Sequence, residues 1–193
     1  MSLMTDDDYE IAKRIAWDNL SDISKQIPPT LFDREKRLVE TINKSGGTPM
    51  VKLRRLYSFM DELFGFVAKY TPCKKGCSHC CYIKVEISAI EAEYIEKSLG
   101  IKQNPHPIET NCFGTPCPFL KDNSCSIYEL RPFVCRKHVV LFDNPKWCDI
   151  DICNLHLFPK IVFTEVDECH NLITLNDGNV QSYDIRQLFT KVA

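Results

Sequence analysis

The sequence has no run approaching about eighteen consecutive apolar residues, so no segment is expected to cross a membrane. Its opening stretch, "MSLMTDDDYE", is acidic and has no hydrophobic segment, so no secretory leader is expected there. Only seven glycines occur, and none sits in the glycine-rich strand–turn–helix that cradles a nucleotide-like cofactor. There is no internal repeat and no low-complexity tract. The formal net charge is only -2, without the basic excess of a general nucleic-acid binder. What remains is a cytoplasmic globular chain of 193 residues, long enough for a hydrophobic core with or without a small added lobe.

Cysteine is the residue present in excess, with eleven in the chain. An odd number without a leader argues against a secreted disulfide framework. In a reducing compartment, thiols at two- and three-residue gaps point instead to metal ligation.

The periodicity predicts a mainly α fold. N-terminal helices pack on a small, irregular, cysteine-rich metal-binding lobe with few short strands. Residues 5–24 place Ile11, Ile15, Leu20 and Ile23 at helical spacings behind an acidic first turn. After "QIPPT" a second helix is expected from Thr30, with Asp33 as its capping-box partner, ending near "KSGG". Thr48-Pro49 offers an N-cap and a first-turn proline, followed by a stripe of Leu53, Leu56, Tyr57, Met60, Leu63, Phe64 and Val67. That stripe reads as core.

Further on, "YIKVEI" alternates like a short strand. Ser88 and Glu91 form a capping box for a helix over 89–99, which Gly100 stops. Residues 101–124 should be mostly irregular. In the acidic tail, "NLITLND" is expected as a strand and "SYDIRQLF" as a closing helix. The organisation expected is a helical region at 1–70, a cysteine lobe at 71–138 and a mixed region at 139–193, all within one compact domain.

Two cysteine groups carry the chemistry. Cys73, Cys77, Cys80 and Cys81 are spaced C-x3-C-x2-C-C, and Cys117, Cys125 and Cys135 lie in "CPFLKDNSCSIYELRPFVCR". Zinc and iron–sulfur centres both take thiolates from knuckles that return sulfurs to one point, and Gly76 permits the tight backbone of such a knuckle. The second group can complete coordination begun by the first. In extended backbone, adjacent side chains diverge, so Cys80 and Cys81 are expected to point to different places.

Seven thiols exceed the four of one tetrahedral ion. Two zinc sites would need an eighth ligand, from Cys148, Cys153 or His138, and one four-iron cluster with spare cysteines fits equally. Cys112 and Cys169 stand apart from any knuckle and read as small buried hydrophobes. Arg131 and Arg136 are candidates for the positive charge that stabilises thiolates. Lys74 and Lys75 are read as solvated, and His79 as exposed beside the knuckle. No catalytic residue is assigned.

The order C-x3-C-x2-C-C, an apolar alternating run, a Ser-capped helix with "IEAEYI", and C-x7-C-x-I-Y-x2-R-P-x2-C-R resembles the CxxCxxCC-type zinc- or iron-chelating domain family of YkgJ-like cysteine cluster proteins. The resemblance spans residues 73–136. Its more specific half runs from Cys125 through Ile127, Tyr128, Arg131, Pro132 and Cys135 to Arg136. It implies a cysteine-ligated zinc or iron–sulfur centre, with zinc able to replace iron in purified protein. The role expected is structural or electron-transferring, with a protein as the other candidate partner. The alternative is an enzyme, an iron–sulfur oxidoreductase or a methyltransferase, since flagellin lysine N-methylases carry a similar cluster.

Overall fold

The computed structural model describes residues 5–189. Eight helices and four very short strands are present among them.

Helix α1 (Asp6–Gln26) opens on a full capping box between Thr5 and Asp8, with Asp6, Asp7 and Asp8 in its first turn. Its buried face is Ala12, Ala16 and Ile23, while Ile11 is 49% exposed. The first half of the expected stripe is thus displaced by one position, whereas Ile23 is buried and Leu20 half-buried as expected. Small alanines let the helix sit close to the chain beneath it, against Val67, Leu141, Phe142 and Trp147.

Helix α2 (Pro29–Lys36) starts with proline at its first position and has no side-chain cap, so the Thr30–Asp33 box is not used. Proline's fixed φ already suits a first turn, which moves the start upstream of Thr30. The helix breaks at Arg37 (φ -111°, ψ 12°), and α3 (Leu38–Lys44) follows at once. Helix α4 (Pro49–Val67) is as expected. Thr48 caps it, and Leu53, Leu56, Tyr57, Phe59, Met60, Leu63 and Val67 are buried. Each such fully buried aliphatic side chain contributes roughly 1.5–3 kcal/mol.

Of "YIKVEI", only its last two residues are strand: β1 is Glu86–Ser88, and Tyr82 closes a 3-10 turn over His79–Tyr82. Helix α5 (Ala89–Leu99) carries the expected Ser88–Glu91 capping box. A two-residue hairpin joins β2 (Leu120–Lys121) to β3 (Ser124–Cys125). Asp122 and Asn123 both have positive φ (49° and 55°), the backbone a primed hairpin turn requires.

Helix α6 (Phe133–Lys137) is short and follows Pro132. "NLITLND" is not a strand but the C-terminal half of α7 (Thr164–Asp177). Val166, Cys169 and Ile173 repeat at helical spacing and pack on α4, and Gly178 ends the helix in a left-handed conformation (φ 81°). "SYDIRQLF" divides into β4 (Ser182–Asp184) and α8 (Ile185–Leu188). Strand β4 runs antiparallel to β1, with Ile87 opposite Tyr183.

Three apolar clusters result. One joins α2, α3, α4 and α7 and takes in Ile90 and Phe133. A second, built on Val85, Ile87, Ile95, Phe119, Ile127 and Ile185, has Cys117, Cys125 and Cys135 packed against it. The third lies between α1, the end of α4 and the irregular chain around Leu141–Trp147.

Candidate metal centre

The site is held by two buried polar hubs. Glu91, from the α5 capping box, accepts from the backbone N–H and hydroxyl of Ser88 (2.9 and 2.7 Å), from the hydroxyl of Tyr57 (2.7 Å) and from the N–H of Phe133 (2.6 Å). Nε2 of His170 is buried and lies 3.3 Å from the carboxylate, within ion-pair distance, with no other polar partner. Burial opposes the charge on Glu91. The His170 attraction and the Ser88 and Phe133 amides outweigh it, holding the carboxyl down at about 2. One side chain thereby fixes the start of α5, the α4 core and the start of α6, which carries Cys135.

The second hub is Asp184 with Arg186. Arg186 Nη1 donates to both Asp184 oxygens (2.8 and 3.0 Å), and Nη2 donates to the carbonyls of Cys81 (2.7 Å) and Ile83 (2.9 Å). Its Nε reaches the carbonyl of Thr115 (2.8 Å), and Asp184 also accepts from the N–H of Val85 (3.0 Å). An arginine near the end of the chain thus clamps both cysteine loops. Sequence reasoning missed it, since a lone Asp-x-Arg looks solvated.

Between these hubs, Cys73, Cys77, Cys80, Cys81, Cys117, Cys125 and Cys135 line a single cavity of about 60 Å³, together with Arg131, His138 and Tyr128. The two loops are tied directly by the Cys117 N–H to the Cys81 carbonyl (2.8 Å) and the Gly114 N–H to the Tyr82 carbonyl (2.8 Å). Gly76 adopts φ 96°, and the Cys77 N–H closes back on the Lys74 carbonyl (3.0 Å).

Three thiols share one local arrangement. For Cys77, Cys117 and Cys125 the backbone amide two residues on, of His79, Phe119 and Ile127 respectively, favours the ionised sulfur, although burial outweighs it. Donors aimed at sulfur favour the thiolate, the form that ligates metal.

Cys80 and Cys81 do not diverge. They lie in the 3-10 turn rather than in extended backbone, and both line the cavity. The interaction of the two neighbouring thiols, with the Arg131 guanidinium, pulls Cys80 below its usual value despite burial. It pushes Cys81 up, with burial and the neighbouring Cys117 and Cys125 adding to the effect.

Elsewhere burial dominates. It raises Cys77, Cys125 and Cys135, and lifts Cys117 to about 11. Several mutually repelling thiols in a low-dielectric pocket need a cation to ionise, so the donor set fits a soft, thiolate-bound metal or cluster. Among the described residues, however, no three His, Cys, Asp or Glu side chains are grouped to hold an ion as they stand. The sulfurs surround a cavity.

Arg131 faces this cavity. Its guanidinium stacks 3.6 Å from the Tyr128 ring centroid, its Nε donates to the Tyr128 carbonyl (2.9 Å), and its charge favours the Cys80, Cys125 and Cys135 thiolates. Arg136 does not line the cavity. It is buried over the Tyr57 ring, paired with Asp61, and bonded to the carbonyls of Arg131 (2.7 Å) and Glu129. Its service to the site is to fix the Arg131 backbone.

Cys148 and Cys153 line a separate, larger cleft, which shares Cys80 and His138 with the thiol cavity. Burial, then the nearby Cys73, Cys77 and Cys80, lift Cys148 to about 12. His138 is held below its usual value by burial and by Lys160. Cys169 is buried in the α4–α7 core and Cys112 is buried beside Thr110, as expected of small apolar residues. Lys74 lines the cavity although its side chain is exposed, and His79 is half-buried outside it.

Fold and site together define a helical protein built around a cysteine-lined chamber. Residues 72–154 match the CxxCxxCC family model, described as "Putative zinc- or iron-chelating domain". The match runs beyond the segment that carries the resemblance in sequence and takes in every cysteine except Cys169. It supports metal binding. No curated protein and no solved structure matches the chain. Among the described residues no helix is long and apolar enough to cross a membrane.

Proposed function

We propose that this chain carries a thiolate-ligated metal centre of more than one atom, an iron–sulfur cluster or its zinc-replaced equivalent, in a structural or electron-transfer role. The observation that carries the reading is the gathering of Cys73, Cys77, Cys80, Cys81, Cys117, Cys125 and Cys135 around one cavity. Seven thiols exceed the four that close one tetrahedral ion. Cys148, Cys153 and His138 stand at the edge of this set as further candidate ligands, and Arg131 offsets the negative charge of the thiolates. Such a centre supplies one-electron chemistry when it is iron–sulfur and rigidity when it is zinc. Residues 71–138 act as the metal lobe of a single domain with the flanking regions. All eleven cysteines are unpaired, which supports a reducing cytoplasm as its setting.

A second reading, an enzyme of the lysine N-methylase type, is favoured by the cleft adjoining the thiol cavity. Anaerobic purification followed by metal and sulfide analysis and a visible spectrum tests both. Iron with inorganic sulfide and an absorbance that bleaches on reduction is the expected result. Zinc without sulfide supports the structural role, and protein free of any metal sinks the proposal. Measured binding of a methyl donor would move the balance to the enzyme.

A further inference from the structure

The cleft beside the thiol cavity has a volume of about 740 Å³, within the range of small-molecule sites. It is formed by the irregular chain after α6 folding back over α4. Tyr9 donates to the Leu157 carbonyl (2.9 Å) and Asn19 to the Leu141 carbonyl (2.7 Å), pinning that chain to α1. Tyr9, Trp147, His156 and Phe158 pack edge-on and tilted against one another, which makes the wall stiff. The lining is largely apolar, and the rim leaves Leu157 86% and Val162 67% exposed.

The charges in this cleft are unbalanced. Its lining holds Lys84, Lys137 and Lys160 against Asp167 alone. Lys84 is paired with Glu86, and Lys137 with Asp167. Lys160, exposed at the rim, has no carboxylate partner among the described residues. An apolar pocket with one uncompensated cation complements a molecule with an apolar body and a single acidic group. Because Cys80 and His138 line both cavities, that molecule sits against the thiol chamber.

We propose that this cleft is a binding site for a hydrophobic organic acid, held by its apolar body on the aromatic wall and by its anionic group at Lys160. The adjacency to a metal centre rests on the function proposed above, whereas the ligand site itself does not.

The test is calorimetric titration of the full chain with 2-naphthoate and with its neutral counterpart 2-naphthamide. The acid should bind about five-fold more tightly than the amide, as expected for a charge pair at a partly solvated rim. Lys160→Gln should bring the two affinities together, while Lys146→Gln, on the same irregular chain but outside the cleft, should keep the preference. Leu157→Glu, at an exposed position that should not disturb folding, should weaken the acid more than the amide. Equal binding of acid and amide by the unmodified protein overturns the proposal, as does a preference that survives Lys160→Gln, or no binding of either probe. Metal content is measured on the same samples. Acid-selective binding by protein that holds no metal upholds the cleft and overturns only the metal centre.

Discussion

Glu91 Oε1 accepts the backbone N–H of Phe133 at 2.6 Å, so the carboxylate that caps α5 also caps the helix bearing Cys135. The two residues are 42 positions apart in sequence. Through this bond the helical core and the second cysteine loop are held in one geometry, and the ring of Phe133 stacks on His170 at 3.9 Å to complete the junction.

Loss of that carboxylate should be severe. Glu91→Ala leaves the Phe133 amide, the Tyr57 hydroxyl and His170 without their buried partner, and is expected to destabilise the protein by roughly 3–5 kcal/mol. Urea unfolding measures it. A loss under about 1 kcal/mol would show that the junction is not held by this residue.

The same group sets an acid limit. Its pKa falls from 4.5 to about 2 on folding, so it favours the native state at pH above its unfolded value. That contribution, on the order of 3 kcal/mol, should be lost as pH falls from about 4.5 toward 2. Unfolding free energy followed over this window in wild type and in Glu91→Gln should show the wild-type advantage shrinking with acid. Parallel curves would contradict it.

Arg186 is expected to matter for metal content as well as stability. Arg186→Gln strands the buried Asp184 and frees the Cys81, Ile83 and Thr115 carbonyls. A destabilisation of roughly 3–5 kcal/mol is expected, with bound metal per chain reduced. Lys84→Gln, an exposed change on the same loop, is the comparison that should retain metal. Equal metal content in Arg186→Gln and wild type would remove the clamp from the account of the site.

Metal removal should unfold the cysteine loops. Their segments have little regular structure beyond the β2–β3 hairpin and short turns, so coordination is expected to supply much of their order. Cys77→Ser, or chelation of the wild type, should lower the melting temperature by several degrees and weaken amide protection over residues 73–81 and 117–135. An unchanged melting profile in both would sink the idea.

What could be read along the chain was local. The caps at Thr48 and Ser88, the stripe of α4 and the first thiol group, Cys73 to Cys81, each depend on residues close to one another along the chain, where spacing dictates geometry. Even so, local rules failed where two periods competed. "NLITLND" has strand-forming residues, but burial of Cys169 and Ile173 against α4 made it helix. Cys80 and Cys81 looked divergent only while the backbone was assumed extended, and the 3-10 turn reversed that.

By itself, then, the sequence determined a mainly helical chain with a thiol-rich centre, because helical periodicity and knuckle spacing are properties of short segments. Tertiary structure alone decided that seven cysteines share one cavity, that Arg131 faces it while Arg136 braces it, and that Glu91 and Arg186 hold its walls. The physical reason is desolvation. A charged side chain in sequence reads as solvated until the fold buries it, and only then must it find partners, which here lie 42 and 105 positions away.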